Sequence, residues 1–279
     1  MKRLRGLVLS GALPAAALAG CFATNAGGDG LAGDWGWNVG GAPESGTATP
    51  GDTTEALYPS DLAVDPGTGE LVLLTELYSG QGIALVDRDT HATKATWILP
   101  VWAMSIGMTG THRAVLSDGV NNYAVDLDTG DYRRIAGMDA LANQTASYSD
   151  GGGDLGGTGG GGDGDVATLE CEPFAGSPIA IWAGDGASRA LVSSTALRGD
   201  TLFHVDGVAY APDRGLLFAL TRGESIRAID TSTGETAFTV ASFDWSTDVG
   251  GLAYDAVAGS VLTLSADGNG SWDVAEYPL

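Results

Sequence analysis

Residues 207–221 read GVAYAPDRGLLFALT: a short apolar run, a turn built from Pro, Asp and Gly, and a second apolar run. The pattern returns without gaps as DLAVDPGTGELVLLT at 61–75 and as GLAYDAVAGSVLTLS at 251–265, with Gly69, Gly215 and Gly259 at one shared position. Looser copies stand at 103–117, AMSIGMTGTHRAVLS, and at 179–193, IAIWAGDGASRALVS. Each copy is a strand, a turn and a strand. A repeat in the low forties, with four short strands per unit, is how the blades of a β-propeller appear in sequence. Sustained 3.6-residue periodicity is absent, which excludes a solenoid of helices. The expectation is an all-β propeller over residues 55–279, with five blades as the first reading and six as the second.

A second repeat supports the first. IDTSTGETAF at 229–238 and VDLDTGDYRR at 125–134 share a turn, and VDRDTHATKA at 86–95 is a degraded third copy. An Asp side chain in such a turn bonds the backbone two residues on, and the Gly supplies the positive φ that reverses the chain. Asp230 with Gly234 and Asp126 with Gly130 fit these roles, while His91 takes the Gly position in the third copy. His enters the left-handed region less readily than Gly but more readily than most residues. One hairpin is therefore expected in several blades. Ala63, Ala209 and Ala253 occupy equivalent positions of the inner strands, as crowding around a narrow axis requires.

The last unit ends after one further strand, SWDVAEYPL at 271–279, and so lacks an outer strand. The segment TTEALYPS at 53–60 is expected to supply it and close the ring, which would leave no open sheet edge there. The intervals around the copy at 179–193 are irregular. The tract GGGDLGGTGGGGDGD at 151–165 accounts for the extra length as a loop inserted into a regular array. Few residues then remain between Ser193 and Gly207 for the outer strands of that blade.

Residues 1–20, MKRLRGLVLSGALPAAALAG, place Lys2, Arg3 and Arg5 before an apolar run, the pattern of a secretory signal peptide. The run is too short to span a bilayer, which takes about 20 predominantly apolar residues. LAGC at 18–21 resembles the lipobox of bacterial lipoproteins, which implies that Cys21 is lipidated and becomes the N-terminus. Acyl chains at one residue anchor a protein through about 0.8 kcal/mol per buried methylene. Cys171 would then be the one remaining thiol, so no intramolecular disulfide could form. Phe22, in place of Asp after the lipidated Cys, implies the outer membrane by the same resemblance. Residues 21–54 are rich in Gly, Ala, Asp, Thr and Pro and are expected to be a flexible tether, interrupted by Trp35 and Trp37.

The chain carries a net charge of −22, and a part without Lys2, Arg3 and Arg5 is more acidic still. Such a surface repels nucleic acid and anionic headgroups, so nucleic acid is excluded as a partner. Solubility is the simplest role for the charge. In its strand pattern and D-x-x-T-G turns, the region 55–279 resembles bacterial propellers with YVTN-type, quinoprotein-like or gluconolactonase-like blades. That resemblance brings no cofactor or catalytic motif with it position by position, and no cofactor is expected.

Chemistry has few residues to work with. The three histidines, His91, His112 and His204, are scattered, and there is no G-x-S-x-G, so neither a nucleophilic triad nor a transition-metal site is expected. Asp61, Asp65, Asp248 and Asp255 lie at ends of inner strands and are the candidates for paired acid and base around an axis, although strand-end Asp more often caps a turn. Asp267, Asn269, Ser271 and Asp273 alternate as oxygen ligands of a calcium loop do. Trp272 stands where that loop's Gly belongs and Pro278 where its closing Glu belongs, so a hairpin turn explains the stretch more simply. The functional expectation is an envelope lipoprotein, facing the periplasm or cell surface, whose propeller binds or scaffolds a protein or glycan partner. The alternatives are a propeller hydrolase or lactonase acting on a sugar or lactone, with or without calcium, and a structural accessory of envelope assembly.

Overall fold

The computed structural model describes residues 44–118, 121–135, 144–147, 165–170, 175–185, 188–199, 205–221, 225–243, 249–266 and 271–279. The signal peptide, Cys21, Phe22, Trp35, Trp37, Cys171, His204 and most of the Gly tract lie outside these residues. Two short strands come first, β1 (Ser45–Thr47) and β2 (Thr49–Pro50). The first blade is β3 (Tyr58–Val64), β4 (Leu71–Leu77), β5 (Gly80–Val86) and β6 (Thr93–Ile98). The second is β7 (Ser105–Gly110), β8 (Arg113–Ser117), β9 (Asn122–Asp126) and β10 (Asp131–Arg134). The third is β11 (Gln144–Ser147), β12 (Val166–Glu170), β13 (Pro178–Asp185) and β14 (Ser188–Ala196). The fourth is β15 (Val205–Ala211), β16 (Leu216–Thr221), β17 (Ser225–Asp230) and β18 (Thr236–Ser242), with a 3-10 turn at Pro212–Arg214 between its first two strands. The fifth has three described strands, β19 (Val249–Asp255), β20 (Ser260–Ala266) and β21 (Trp272–Pro278).

Each blade is an antiparallel meander that begins at the centre and runs outward. The five first strands pack side by side in the cyclic order β3, β7, β11, β15, β19 and back to β3. The protein is a five-bladed β-propeller.

The core lies between blades rather than within them. In β16, Leu217 and Ala219 join a cluster with Ile179, Ile181 and Leu197 of the third blade, whereas Phe218 and Leu220 join one with Leu252, Tyr254 and Val261 of the fifth. In β4, Leu71 and Leu73 face the fifth blade, and Val72 and Leu74 face the second. Successive side chains of a strand point to opposite faces, and here both faces are covered by a neighbouring blade. Second strands therefore read as unbroken apolar runs, LVLL and LLFAL, and not as alternating ones. Ala63, Ala209 and Ala253 are buried at equivalent places on the inner strands, opposite Val72, Phe218 and Leu262.

Two expectations change. The copy at 179–193 is the outer hairpin of the third blade, β13 and β14, whose inner strands β11 and β12 flank the Gly tract. The shortage of residues before Gly207 disappears because the missing strands precede the copy. An inner and an outer hairpin share one strand-turn-strand pattern, so sequence character alone does not separate them. The ring also closes differently. Residues 58–60 belong to β3, the inner strand of the first blade, and no described strand pairs with the outer side of β21. Instead β19 packs against β3, and the N-terminal strands β1 and β2, within the segment read as a tether, add to the outer edges of the second and first blades through β10 and β6.

Candidate functional site

The acidic turn residues have well-defined partners. Asp230 Oδ1 accepts from the amides of Ser232 (2.8 Å) and Thr233 (3.1 Å), and Asp126 Oδ1 from Asp128 (2.9 Å) and Thr129 (3.1 Å). Asp87 Oδ1 accepts from Asp89 (3.2 Å) and Thr90 (2.9 Å). Gly234, Gly130 and His91 follow at φ 74°, 77° and 57°. Asp65 and Asp255 form the same turn between first and second strands: Asp65 Oδ1 accepts from Gly67 (2.9 Å) and Thr68 (3.0 Å), Asp255 Oδ1 from Val257 and Ala258 (2.9 Å each).

The second oxygens of these two reach the next blade round the ring. Asp65 Oδ2 accepts the amide of His112 at 2.6 Å, and Asp255 Oδ2 pairs with the Arg88 guanidinium. Asp61, on β3, accepts from Leu62 on Oδ1 and from Ile106 of the second blade on Oδ2, both at 2.9 Å. Burial pushes its carboxyl up to about 7, against the pull of the amides of Ile106, Leu62 and Leu252, the last from the fifth blade. Asp61 thus ties three inner strands together. Asp61, Asp65 and Asp255 are 6%, 0% and 5% exposed, and all of their oxygens are engaged. Each of the three is committed to amides or a guanidinium of the ring itself. Asp248 lies outside the described residues.

His112, with φ 55°, directs Nδ1 to Asp128 Oδ1 at 2.6 Å, while its buried Nε2 lies 4.0 Å from both Asp65 Oδ2 and Glu70 Oε2 without a hydrogen-bond partner. Burial lowers its pKa, but the Asp128 hydrogen bond and the charges of Asp128, Asp65 and Glu70 outweigh this and hold it above the ordinary histidine value. The imidazole is thus bonded within the second blade and faces two carboxylates of the first. Of the calcium candidates, Ser271 and Asp273 are exposed, and Asp273 Oδ1 accepts the amide of Val274 at 2.9 Å. Asp267 and Asn269 lie outside the described residues, in the connection between the paired strands β20 and β21. Among the described residues no three His, Cys, Asp or Glu are arranged to hold a metal ion.

A second set of polar groups lines a groove of about 710 Å³ between the third and fourth blades. Ser225, Arg227 and Ile229 alternate along one face of β17, opposite Ser242, Thr239 and Thr236 of β18. Hydroxyls three apart would fall on opposite faces of a regular strand; two register shifts in this pair bring all three to one face. Ile229, at the inner end, is buried against the third blade. Arg198, just after β14, borders the groove from the other blade, and its amide bonds Gly234 O at 2.7 Å. Sequence reasoning missed this place. Its one visible signal was the scarcity of cations, 13 Lys and Arg against 35 Asp and Glu.

No family model matches the chain, and no curated protein matches it. Among solved structures it is similar to the glutaminyl cyclase of Myxococcus xanthus, at 12% identity and a TM-score of 0.54, over 84% of this chain and 97% of that one. The likeness is one of fold. A chain of a nidogen/laminin complex matches at 11% identity and a TM-score of 0.49, over 80% of this chain and 81% of that one.

Proposed function

We propose that the protein is an outer-membrane lipoprotein, anchored through Cys21, whose propeller is a binding module for a glycan or protein of the bacterial envelope. The carrying observation is the division of polar groups within the ring. The inner carboxylates Asp61, Asp65 and Asp255 are engaged in turns and in joining blades, whereas in the groove between the third and fourth blades the side chains of Arg198, Thr236, Thr239 and Ser242 have no hydrogen-bond partner among the described residues. The signal-like leader and LAGC at 18–21 support the anchor, and the resemblance to YVTN-type and related blades fits an envelope protein. A hydrolase or lactonase would need inner acids open to substrate, and the cyclase neighbour, at 12% identity, contributes only its fold.

The test has two arms. Radiolabelled palmitate should enter the full chain and not Cys21→Ser, and the labelled protein should fractionate with the outer membrane. The purified full chain should then retain one envelope component reproducibly while turning over none of a panel of sugar and lactone substrates. An unlabelled wild type would overturn the anchor, and turnover of any panel member would overturn the binding reading.

A further inference from the structure

We propose that the groove between the third and fourth blades binds the oxyanion of an acidic saccharide, with Arg198 and Arg227 holding the anion and the β18 hydroxyls the sugar. The inference rests on the binding-module reading and names the ligand class of that site. Arg88, Lys94 and Arg214 each lie within 4.0 Å of a carboxylate. Among the described residues no carboxylate lies that close to Arg198 or Arg227; Arg227 Nε donates only to Ser225 Oγ, at 3.4 Å. In a chain of net charge −22, two guanidiniums without carboxylate partners on one concave surface are a specific arrangement. A planar guanidinium offers a fork of donors that matches carboxylate, sulfate or phosphate oxygens.

The rest of the lining narrows the ligand. Thr236, Thr239 and Ser242 each donate and accept, as does a sugar hydroxyl, and Glu235, also in the lining, adds an acceptor. Strand bulges commonly re-aim side chains at binding sites, and here two of them align these hydroxyls with Arg227. A pocket of this volume accommodates a small ligand or a few sugar units. The protein's overall charge repels polyanions at long range, so any anion that binds reports a local site and not diffuse attraction.

The test is calorimetric titration of the full chain with tetragalacturonate, a carrageenan tetrasaccharide, which carries sulfate but no carboxylate, and neutral maltotetraose. One or both anionic tetrasaccharides should bind saturably, which separates a carboxylate from a sulfate source, and maltotetraose should not. Arg198→Gln and Arg227→Gln should each weaken binding about tenfold or more, the loss of one charge-assisted contact, with unfolding temperatures near wild type. Thr239→Ala should weaken it less. Absence of binding by both anions, equal binding of maltotetraose, or affinities unchanged in both arginine variants would overturn the inference. An envelope component still retained by both arginine variants would leave the binding module standing and remove the groove from it.

Discussion

The imidazole of His91, in the first blade, stacks on the indole of Trp272, in the last, with ring centroids 5.0 Å apart and planes 23° from parallel. Elsewhere the equivalent turn position is Gly, because the outermost strand of the preceding blade ends against it. A Cβ on Gly234 would lie 2.0 Å from Ala196 O, and one on Gly130 would lie 2.7 Å from the Trp97 ring. Among the described residues the fifth blade has three strands, so the seam it shares with the first has room for a side chain. The imidazole fills that room, and Arg88 adds a second stitch, pairing with Asp255 and, at 3.0 Å, with Glu276 Oε2. Side chains thus fasten the ends of the ring where a shared fourth strand was expected.

Breaking this stitch should cost more than breaking a surface pair. Arg88→Ala leaves the buried Asp255 carboxylate short of its cation, and removal of one partner from a largely buried pair is destabilising by about 2–3 kcal/mol. Lys94 pairs with Glu70 and Asp87 but lies at the surface, where solvent screens the pair, so Lys94→Ala should cost clearly less than Arg88→Ala. Urea unfolding of both variants checks the order; equal losses would remove the special role of the seam.

The turn glycines should separate two costs that are usually confounded. Gly69 has φ 72° with open space around its Cβ position, so Gly69→Ala should show backbone strain alone, about 1–2 kcal/mol. Gly234→Ala adds a collision with the backbone of Ala196 and Leu197, which cannot rotate away as a side chain can. Its loss should exceed that of Gly69→Ala by at least about 1 kcal/mol, measured as the shift in the denaturant midpoint at constant slope.

Much of the ring was legible because its turns require particular residues. Asp65, Asp126 and Asp230 stand where a side chain must accept two amides, and the glycines where φ is positive. The position of a hairpin within its blade was not legible, since Ile179 and Ala103 begin similar patterns at different radii. Nor was the groove. Thr236, Thr239 and Ser242 share a face only through two bulges, and a one-residue slip of that kind leaves no mark in composition.

Stability should peak on the acid side of neutrality. Asp61 has its folded pKa raised from 3.8 to about 7, so the folded state holds the extra proton between these values and loses stability as pH rises through them. His112 has its pKa raised above 6.5; its contribution is complete below 6.5 and disappears as pH rises through the raised value. Asp87 and Asp230 act oppositely: amide and hydroxyl bonds hold them below 3.8, and their contribution is lost as pH falls beneath that. The maximum is therefore expected at about pH 4–6. Asp61→Asn should remove most of the decline between about pH 4 and 7. At pH 5 it should cost about 1–3 kcal/mol, because an amide offers one acceptor oxygen where the carboxyl meets amides with two. A wild-type optimum above pH 8 would contradict both assignments.

Gln81 shows how a side chain substitutes for a strand. Buried on β5, it donates from Nε2 to Ala103 O at 2.8 Å and accepts the Ala103 amide on Oε1 at 2.5 Å, so both backbone groups of one interblade residue are satisfied by one amide. Its own carbonyl meanwhile accepts the amide of Leu99 at 2.9 Å, fixing the other end of the connection from first to second blade. Gln81→Leu preserves volume but strands a buried N–H and a buried C=O together, so it should cost about 2–4 kcal/mol. Gln81→Glu keeps the acceptor and, when ionised, sets a carboxylate against the Ala103 carbonyl. Its deficit should therefore be small at pH 4 and grow as the pH rises, a dependence that the leucine variant lacks. Parallel urea titrations of the two variants at pH 4 and pH 8 distinguish lost hydrogen bonding from simple repacking, and a Leu variant as stable as wild type would mean that water reaches Ala103.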